Sequence, residues 1–193
     1  MEQKETRQPE LFTASQLARF CQVDLKTIHN WSDKGEIRHF RTPGRHLRFR
    51  RLDVLDFLRK YGYPIPEVLR AGKPKVVVID DDASVLASVR RALSRRFDVT
   101  AFQDPFDALV AVGSIQPDAI VLDLKLKGLD GARCIERLRG IDATAHVRCI
   151  VYSAAAEKQP SLDAGAADFV KKGEVAELRE KLEKLTGLDG DEE

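Results

Sequence analysis

Cysteine is scarce in this sequence, and its three copies, Cys21, Cys134 and Cys149, stand far apart with no CxxC pair among them. An odd, scattered set excludes a disulfide framework and a cysteine-based metal site, and leaves small core residues. Long apolar runs are missing as well. No stretch approaches the ~20 residues that cross a bilayer, and the opening MEQKETRQPE has no apolar core of a signal peptide. The expectation is a cytoplasmic chain with no membrane partner. No internal repeat is visible, and His146 is isolated and reads as polar surface rather than as a ligand.

What is present is charge, distributed unevenly. The net charge of +1 hides 14 Lys+Arg against 9 Asp+Glu in residues 1–72, and 18 against 22 in residues 73–193. A basic end and an acidic end point to different partners. With 193 residues and 43% hydrophobic content, two domains are expected.

The seam lies in Tyr61-Gly62-Tyr63-Pro64-Ile65-Pro66 and Ala71-Gly72-Lys73-Pro74, where Pro and Gly interrupt the helical patterns. This places a linker at 61–74. Before it, Thr13-Ala14-Ser15-Gln16 has capping-box spacing, and Leu17, Phe20 and Cys21 share a helical face, so a short helix is predicted to end near Gln22. Asp24 can cap a second helix carrying Leu25, Ile28 and Trp31, with Gly35 as its stop. Ile37 to Phe40 and Leu47 to Arg50 flank Thr42-Pro43-Gly44-Arg45 as a hairpin, and Leu52, Leu55, Phe57 and Leu58 mark another helix.

After the linker, apolar runs alternate with helical segments: Val76–Ile79, Val99–Phe102, Ala119–Leu122, Cys149–Tyr152 and Phe169–Val170. Val and Ile without polar alternation suit parallel strands covered on both faces, so the fold class is α/β. The chain ends in an acidic tail, 187–193, of which Asp189-Gly190-Asp191-Glu192-Glu193 is expected to be disordered.

Asp80, Asp81 and Asp82 follow the first of these strands and Asp123 follows the third. In a parallel sheet both positions lie at the carboxyl edge, where such folds hold ligands. Converging carboxylates repel unless a cation joins them. A hard divalent ion such as Mg2+ suits oxygen donors, and an aspartate there can accept a phosphoryl group. The alternative for Asp82 is an N-cap of the next helix, and that is preferred. Asp104, Asp107 and Asp118 read as surface or cap residues, and Arg90, Arg91, Arg95 and Arg96 as a solvated helix face open to a partner.

Val76-Val77-Val78-Ile79-Asp80-Asp81-Asp82, Ile120-Val121-Leu122-Asp123, Gly128-Leu129-Asp130-Gly131, Tyr152-Ser153-Ala154 and Lys171-Lys172, in this order, resemble the successive signatures of the receiver domain of response regulators. The resemblance covers most of 75–186. It implies a five-stranded, doubly wound, flavodoxin-like domain with Asp123 as phosphoacceptor. Asp80 and Asp81 would hold Mg2+ together with Asp123 and the carbonyl of Lys125. Ser153 and Lys172 would bind the phosphoryl oxygens, and Phe169 would be the switch aromatic. Departures from the pattern are Lys127 and Gly173, where many members have Pro. The short Ser153–Lys172 spacing, with Pro160 inside it, predicts a short or distorted fourth helix. Since that face commonly carries receiver dimerisation, a phosphorylation-driven dimer is not carried over.

From Arg38 to Arg51 the chain holds six Arg plus His39 and His46, with no acidic residue. Thr13 to Lys60 resembles the winged helix-turn-helix of MerR-like and excisionase-like proteins, with Arg41 to Phe49 as the wing. The resemblance implies that Lys26, Thr27, His29 and Asn30 of the second helix meet the major groove, while Arg41, Arg45, His46 and Arg48 follow the backbone or minor groove. Trp31, Phe40, Phe49 and Phe57 read as core.

The expected organisation is therefore a DNA-binding domain over 1–60, a linker over 61–74, a receiver over 75–186 and the acidic tail. The expected function is a two-component response regulator, phosphorylated on Asp123 by a histidine kinase or phosphotransfer protein, that controls DNA binding and transcription. A second reading makes the receiver a docking domain in a scaffold, polarity or DNA-organising system, with a homodimer or scaffold partner. Asp80-Asp81-Asp82-Ala83-Ser84 also fits the DxDx[TS] motif of haloacid-dehalogenase-type phosphatases. The segment is short for that fold, and the chain is read as a non-enzyme.

Overall fold

The computed structural model describes residues 11–70, 72–141, 144–154 and 158–188, and divides the chain into two compact units, 1–72 and 73–193. The acidic residues 189–193 lie outside the described residues. No described helix is long and apolar enough to cross a membrane.

The N-terminal unit begins with a strand that the sequence pattern does not announce, β1 (Leu11–Thr13), followed by α1 (Ala14–Cys21) and α2 (Leu25–Asp33). Thr13 closes a reciprocal capping box: Gln16 N–H donates to its hydroxyl, and its own N–H donates to Gln16 Oε1 at 2.8 Å. The first helix stops at Gln22, which is left-handed at φ 55°. Asp24 Oδ1 accepts from Thr27 N–H at 2.7 Å and starts the second. The two helices are thereby separated by one tight turn.

The wing is narrower than its apolar pattern suggests. Only β2 (Phe40–Arg41) pairs with β3 (Leu47–Arg50), while Ile37 is buried without joining the ladder. β3 also pairs with β1, giving a three-stranded antiparallel sheet in the order β1-β3-β2. α3 (Arg51–Lys60) closes a core containing Phe12, Leu17, Ile28, Phe49 and Leu58.

Residues 63–69, read from the sequence as linker, fold back onto this core. Tyr63 stacks on Phe57 at 6.2 Å between ring centroids, and Ile65 packs against the same core. Leu69, in the short α4 (Glu67–Arg70), is fully buried, and Arg51 Nη2 donates to its carbonyl at 2.7 Å. Arg51 is itself buried, so one of the six arginines of the basic run serves the interior.

The second unit alternates β4 (Lys75–Ile79), α5 (Ala83–Leu93), β5 (Asp98–Phe102), α6 (Pro105–Ile115) and β6 (Ala119–Leu122). A small hairpin follows, β7 (Lys125–Leu126) and β8 (Leu129–Asp130), then α7 (Gly131–Arg139), β9 (Arg148–Ser153), α8 (Lys158–Asp163), β10 (Asp168–Lys171) and α9 (Val175–Thr186). The five long strands form one parallel sheet in the order β10-β9-β6-β4-β5.

The Val-rich run works as both faces of that sheet require. Val77 and Ile79 pack with Ala108, Val112, Cys134 and Ile135 from α6 and α7. Val76 and Val78 pack with Leu86, Val89, Leu178 and Leu182 from α5 and α9. Alternate residues enter opposite layers, so an unbroken apolar strand is what a doubly covered sheet needs. Burial pushes the thiols of Cys134 and Cys149 up to about 11 and about 12, consistent with inert core residues. α8 has six residues with Pro160 in its first turn, where the missing N–H costs nothing.

One side chain joins three segments at the end of α7. Arg139 Nη1 donates to Ala145 O and Val147 O, each at 2.7 Å, and Nε and Nη2 both reach Gly165 O. Arg139→Ala is expected to lower the unfolding free energy by about 2 kcal/mol or more, because three carbonyls lose a charged donor. Urea denaturation of the variant checks this, and Arg139→Lys should recover little of the loss, since an ammonium lacks the planar fork.

Candidate functional site

Strand register assembles the site. Ile79 pairs with Leu122 across β4 and β6, so Asp80 and Asp123, each one residue beyond, emerge side by side at the carboxyl edge. The strand order turns at this point, with β5 on one side of β4 and β6 on the other, which is where doubly wound sheets open a crevice. Lys171 pairs with Ser153 at the ends of β10 and β9, and Lys172 follows immediately.

Asp80, Asp81 and Asp123 each bring a carboxylate oxygen within 4.8 Å of the others. Asp80 and Asp123 are nearly inaccessible, at 2% and 4% exposure. Lys172 Nζ bridges them, 2.7 Å from Asp80 Oδ2 and 2.6 Å from Asp123 Oδ2. Asp80 Oδ1 accepts the N–H of Asp82 at 3.0 Å. Asp123 Oδ1 is buried and has no hydrogen-bond partner among the described residues.

The electrostatics follow from burial. Burial raises Asp80 above the usual carboxylate range, and the Lys172 contact opposes but does not cancel it. Burial works to lower Lys172, and its bonds to Asp123 and Asp80 outweigh that and hold it above the ordinary lysine value. Asp82 takes no part: its Oδ1 accepts the hydroxyl and N–H of Ser84 and caps α5, which lowers its carboxyl. Asp104 likewise caps α6, and Asp118 accepts Lys75 N–H at 2.9 Å.

The donor set fits a hard divalent cation. It consists of oxygens only, and the buried Asp123 Oδ1 has no hydrogen-bond donor among the described residues. Lys125, whose carbonyl the resemblance adds to the set, begins the β7–β8 hairpin next to Asp123. Ser153 is buried at the end of β9, with its carbonyl accepting Lys172 N–H. Phe169 is partly buried against the α6–α7 layer.

Three further residues support the site. A Cβ on Gly131 would stand 2.5 Å from Asp123 O and from Leu124 Cα, so only glycine lets α7 start this close to the acceptor loop. Lys181 of α9 bonds Asp168 Oδ1 and Phe169 O, fastening the strand that carries the aromatic ring. Gly173 N–H donates to Tyr152 Oη at 2.9 Å, a bond that the more usual proline could not make. Gly131 lies in a motif that the sequence already singles out and Gly173 is a departure from the more usual proline, whereas no spacing in the sequence signals Lys181.

In the N-terminal unit, Lys26, His29 and Asn30 are exposed along α2 and Thr27 is half-buried. Leu25 is 48% exposed at the start of the same helix. In the wing, Arg45 and His46 are exposed at the turn. Arg41 is engaged with Asp33 Oδ1 and Arg45 O, each at 3.2 Å, and Arg48 donates to Leu47 O. Arg41 thus ties the wing to the end of α2, while Arg45 and His46 project.

Residues 76–183 match the profile of the response regulator receiver domain, and residues 11–62 match that of a helix-turn-helix domain. The transcriptional regulatory protein PrrA of Mycobacterium tuberculosis is 38% identical over 116 residues, which cover 58% of this chain and 49% of that protein. The response regulator MprA of Mycolicibacterium vanbaalenii is 33% identical over 123 residues, covering 60% and 53%. The chain therefore spans about half the length of the curated relatives it matches. Among solved structures, the receiver domain of Francisella response regulator 1452 is 27% identical with a TM-score of 0.56, covering 60% of this chain and 98% of that one. The signal receiver domain of the putative response regulator NarL from Mycobacterium tuberculosis is 29% identical with a TM-score of 0.54, covering 60% and 97%.

Proposed function

The chain belongs to the response regulator receiver family, and from that premise we propose that phosphorylation of Asp123 controls how the N-terminal helix-turn-helix domain engages DNA, and through it transcription. The donor is a histidine kinase or a phosphotransfer protein. The observation that carries the reading is the buried carboxylate pair bridged by Lys172, with Asp123 Oδ1 left unbonded.

A carboxylate oxygen of Asp123 attacks phosphorus, and the bond from phosphorus to the donor's imidazole nitrogen breaks. Asp80, Asp81, Asp123 and the carbonyl of Lys125 would hold Mg2+, which when bound offsets charge on the phosphoryl oxygens. Lys172 supplies a fixed cation on the other side, and the Ser153 hydroxyl donates to the new oxygens. The added charge of about −1.5 to −2 draws Ser153 and Lys172 toward the acceptor, and the rearranged β9 and β10 loops change the space open to Phe169. In the DNA-binding domain, Lys26, Thr27, His29 and Asn30 face the major groove, while Arg45 and His46 lead the wing to the backbone, supported by Arg41 and Arg48. Leu25, exposed beside Lys26, joins that surface as an apolar contact.

The test is exposure to acetyl phosphate with Mg2+, followed by assay of acid-labile phosphate and of DNA affinity. Wild type is expected to take up phosphate and change its DNA affinity, and Asp123→Asn to do neither. DNA binding that ignores phosphate would leave a receiver-shaped docking domain on a constitutive DNA binder.

A further inference from the structure

Between Asp82 and Asp98 the chain has no acidic residue, yet Arg90, Arg91, Arg95 and Arg96 fall within seven positions. The structure separates these four. Arg96 is used internally: its Nε lies 3.1 Å from Glu183 Oε1 and its Nη2 donates to Leu188 O. Arg90, Arg91 and Arg95 are exposed, and among the described residues none of their guanidinium groups forms an ion pair or hydrogen bond. Three cations without an acidic partner among the described residues thus fall within six positions in a unit whose overall charge is negative.

Their place in the fold matters. α5 runs back from the carboxyl edge, so its last turn lies at the amino edge of the sheet, opposite the aspartate site. Lys73 Nζ donates to Ser94 O at 2.7 Å, which puts this end of α5 beside the point where the chain enters the receiver. On the other side of that entry, Leu69 is held in the helix-turn-helix unit by Arg51. The covalent path between the two anchored residues is four steps, which spans at most about 14 Å. The three arginines thus lie at the end of the receiver unit through which the chain enters it.

We infer that Arg90, Arg91 and Arg95 form a second phosphate-contacting surface, which binds the backbone of the same duplex beside the segment read by the helix-turn-helix. The inference rests on the DNA-binding reading of the N-terminal domain. Guanidinium groups suit this role, since they stay charged and pair bidentately with phosphate oxygens. The bland alternative is that the arginines only complement the C-terminal end of the α5 dipole. That role predicts altered stability without altered DNA binding.

The experiment uses the full chain and the triple variant R90S/R91S/R95S, with fluorescence anisotropy on mixed-sequence duplexes of roughly 15 and 40 bp across a salt series. On the longer duplex, the variant is expected to bind about tenfold or more weaker near 0.1 M salt, with the slope of log K against log salt reduced by about 2 to 3. Wild type is expected to bind the longer duplex more tightly than the shorter, and the variant to lose that gain. Uptake of phosphate on Asp123 and an unchanged unfolding profile show that the variant is folded. If the wild-type slope falls in R45S/K26S but is unchanged in the triple variant, this inference is overturned and the DNA-binding reading stands. If wild type binds no duplex at all, both fall.

Discussion

Lys172→Met should cost the receiver unit about 3–5 kcal/mol, the usual penalty for leaving a buried charge without its partner. Lys172 is the one cation in contact with both Asp80 and Asp123 among the described residues, and both carboxylates are almost fully buried. Without it, two carboxylates face each other in a site where burial already raises Asp80. Methionine keeps the unbranched stem and removes the ammonium with its charge and its donors, so packing along the stem changes little. Urea unfolding at neutral pH measures the loss.

The same experiment with Mg2+ distinguishes electrostatics from packing. A divalent ion that binds the native carboxylates stabilises by mass action, so Mg2+ should rescue the variant by more than it stabilises wild type. Lowering the pH should also narrow the gap, because protonation of Asp80 removes the repulsion. An unchanged midpoint in the variant, or a loss that neither Mg2+ nor acid relieves, would show that Lys172 does not neutralise the pair.

Gly131→Ala is the second large effect. The added methyl carbon would lie 2.5 Å from Asp123 O and from Leu124 Cα, and both are backbone atoms that cannot rotate aside. Gly131 N–H also donates to Leu124 O at 2.9 Å, so α7 and the acceptor loop share this contact. Relief requires the loop to move by a substantial fraction of an ångström. A stability loss of about 1–3 kcal/mol follows from overpacking. Displacement of the Asp123 main chain should additionally cut the rate of phosphorylation by about a hundredfold, the scale of a small misplacement of a reacting group. Single-turnover phosphorylation by acetyl phosphate separates the two, because phosphate uptake should fall even where the variant remains fully folded. Normal uptake would mean that the loop absorbs the methyl without moving Asp123.

Much of the fold was legible because it depends on short-range signals. The helix starts at Thr13, Asp24, Asp82, Asp104 and Asp130 are each fastened by a side-chain bond two or three residues long. A window of four residues contains all the chemistry involved. The five parallel strands were visible for a related reason, since burial on both faces demands an unbroken apolar run. The wing was less legible. Ile37 looks like a strand residue because it is apolar, but it packs in the core while only Phe40 and Arg41 find partners. Leu25 marks the second helix by its apolar spacing, yet it lies exposed at the helix start.

Proline and glycine marked 61–74 as a break in helical pattern, and such a break is compatible with either a free linker or an extended segment laid on a surface. Tyr63, Ile65 and Leu69 decide for the surface, through contacts with residues of α2 and α3 and the bond from Arg51. The pairing of β1 with β3 is of the same kind, because three residues carry no periodicity of their own.

The amino-acid sequence by itself determined the two-unit plan, the helix caps and the α/β class, because these follow from neighbouring residues and from apolar runs that declare their own burial, while Asp123 as candidate acceptor came from the ordered resemblance to receiver signatures. Only the tertiary structure decided that Lys172 bridges to Asp123 from 49 positions away, that Gly131 must lack a side chain, that Arg51 is interior, and that three of the four arginines at the end of α5 form no ion pair or hydrogen bond among the described residues. Each of these depends on where distant segments meet, and sequence spacing holds no information about a distance that the folded backbone alone sets.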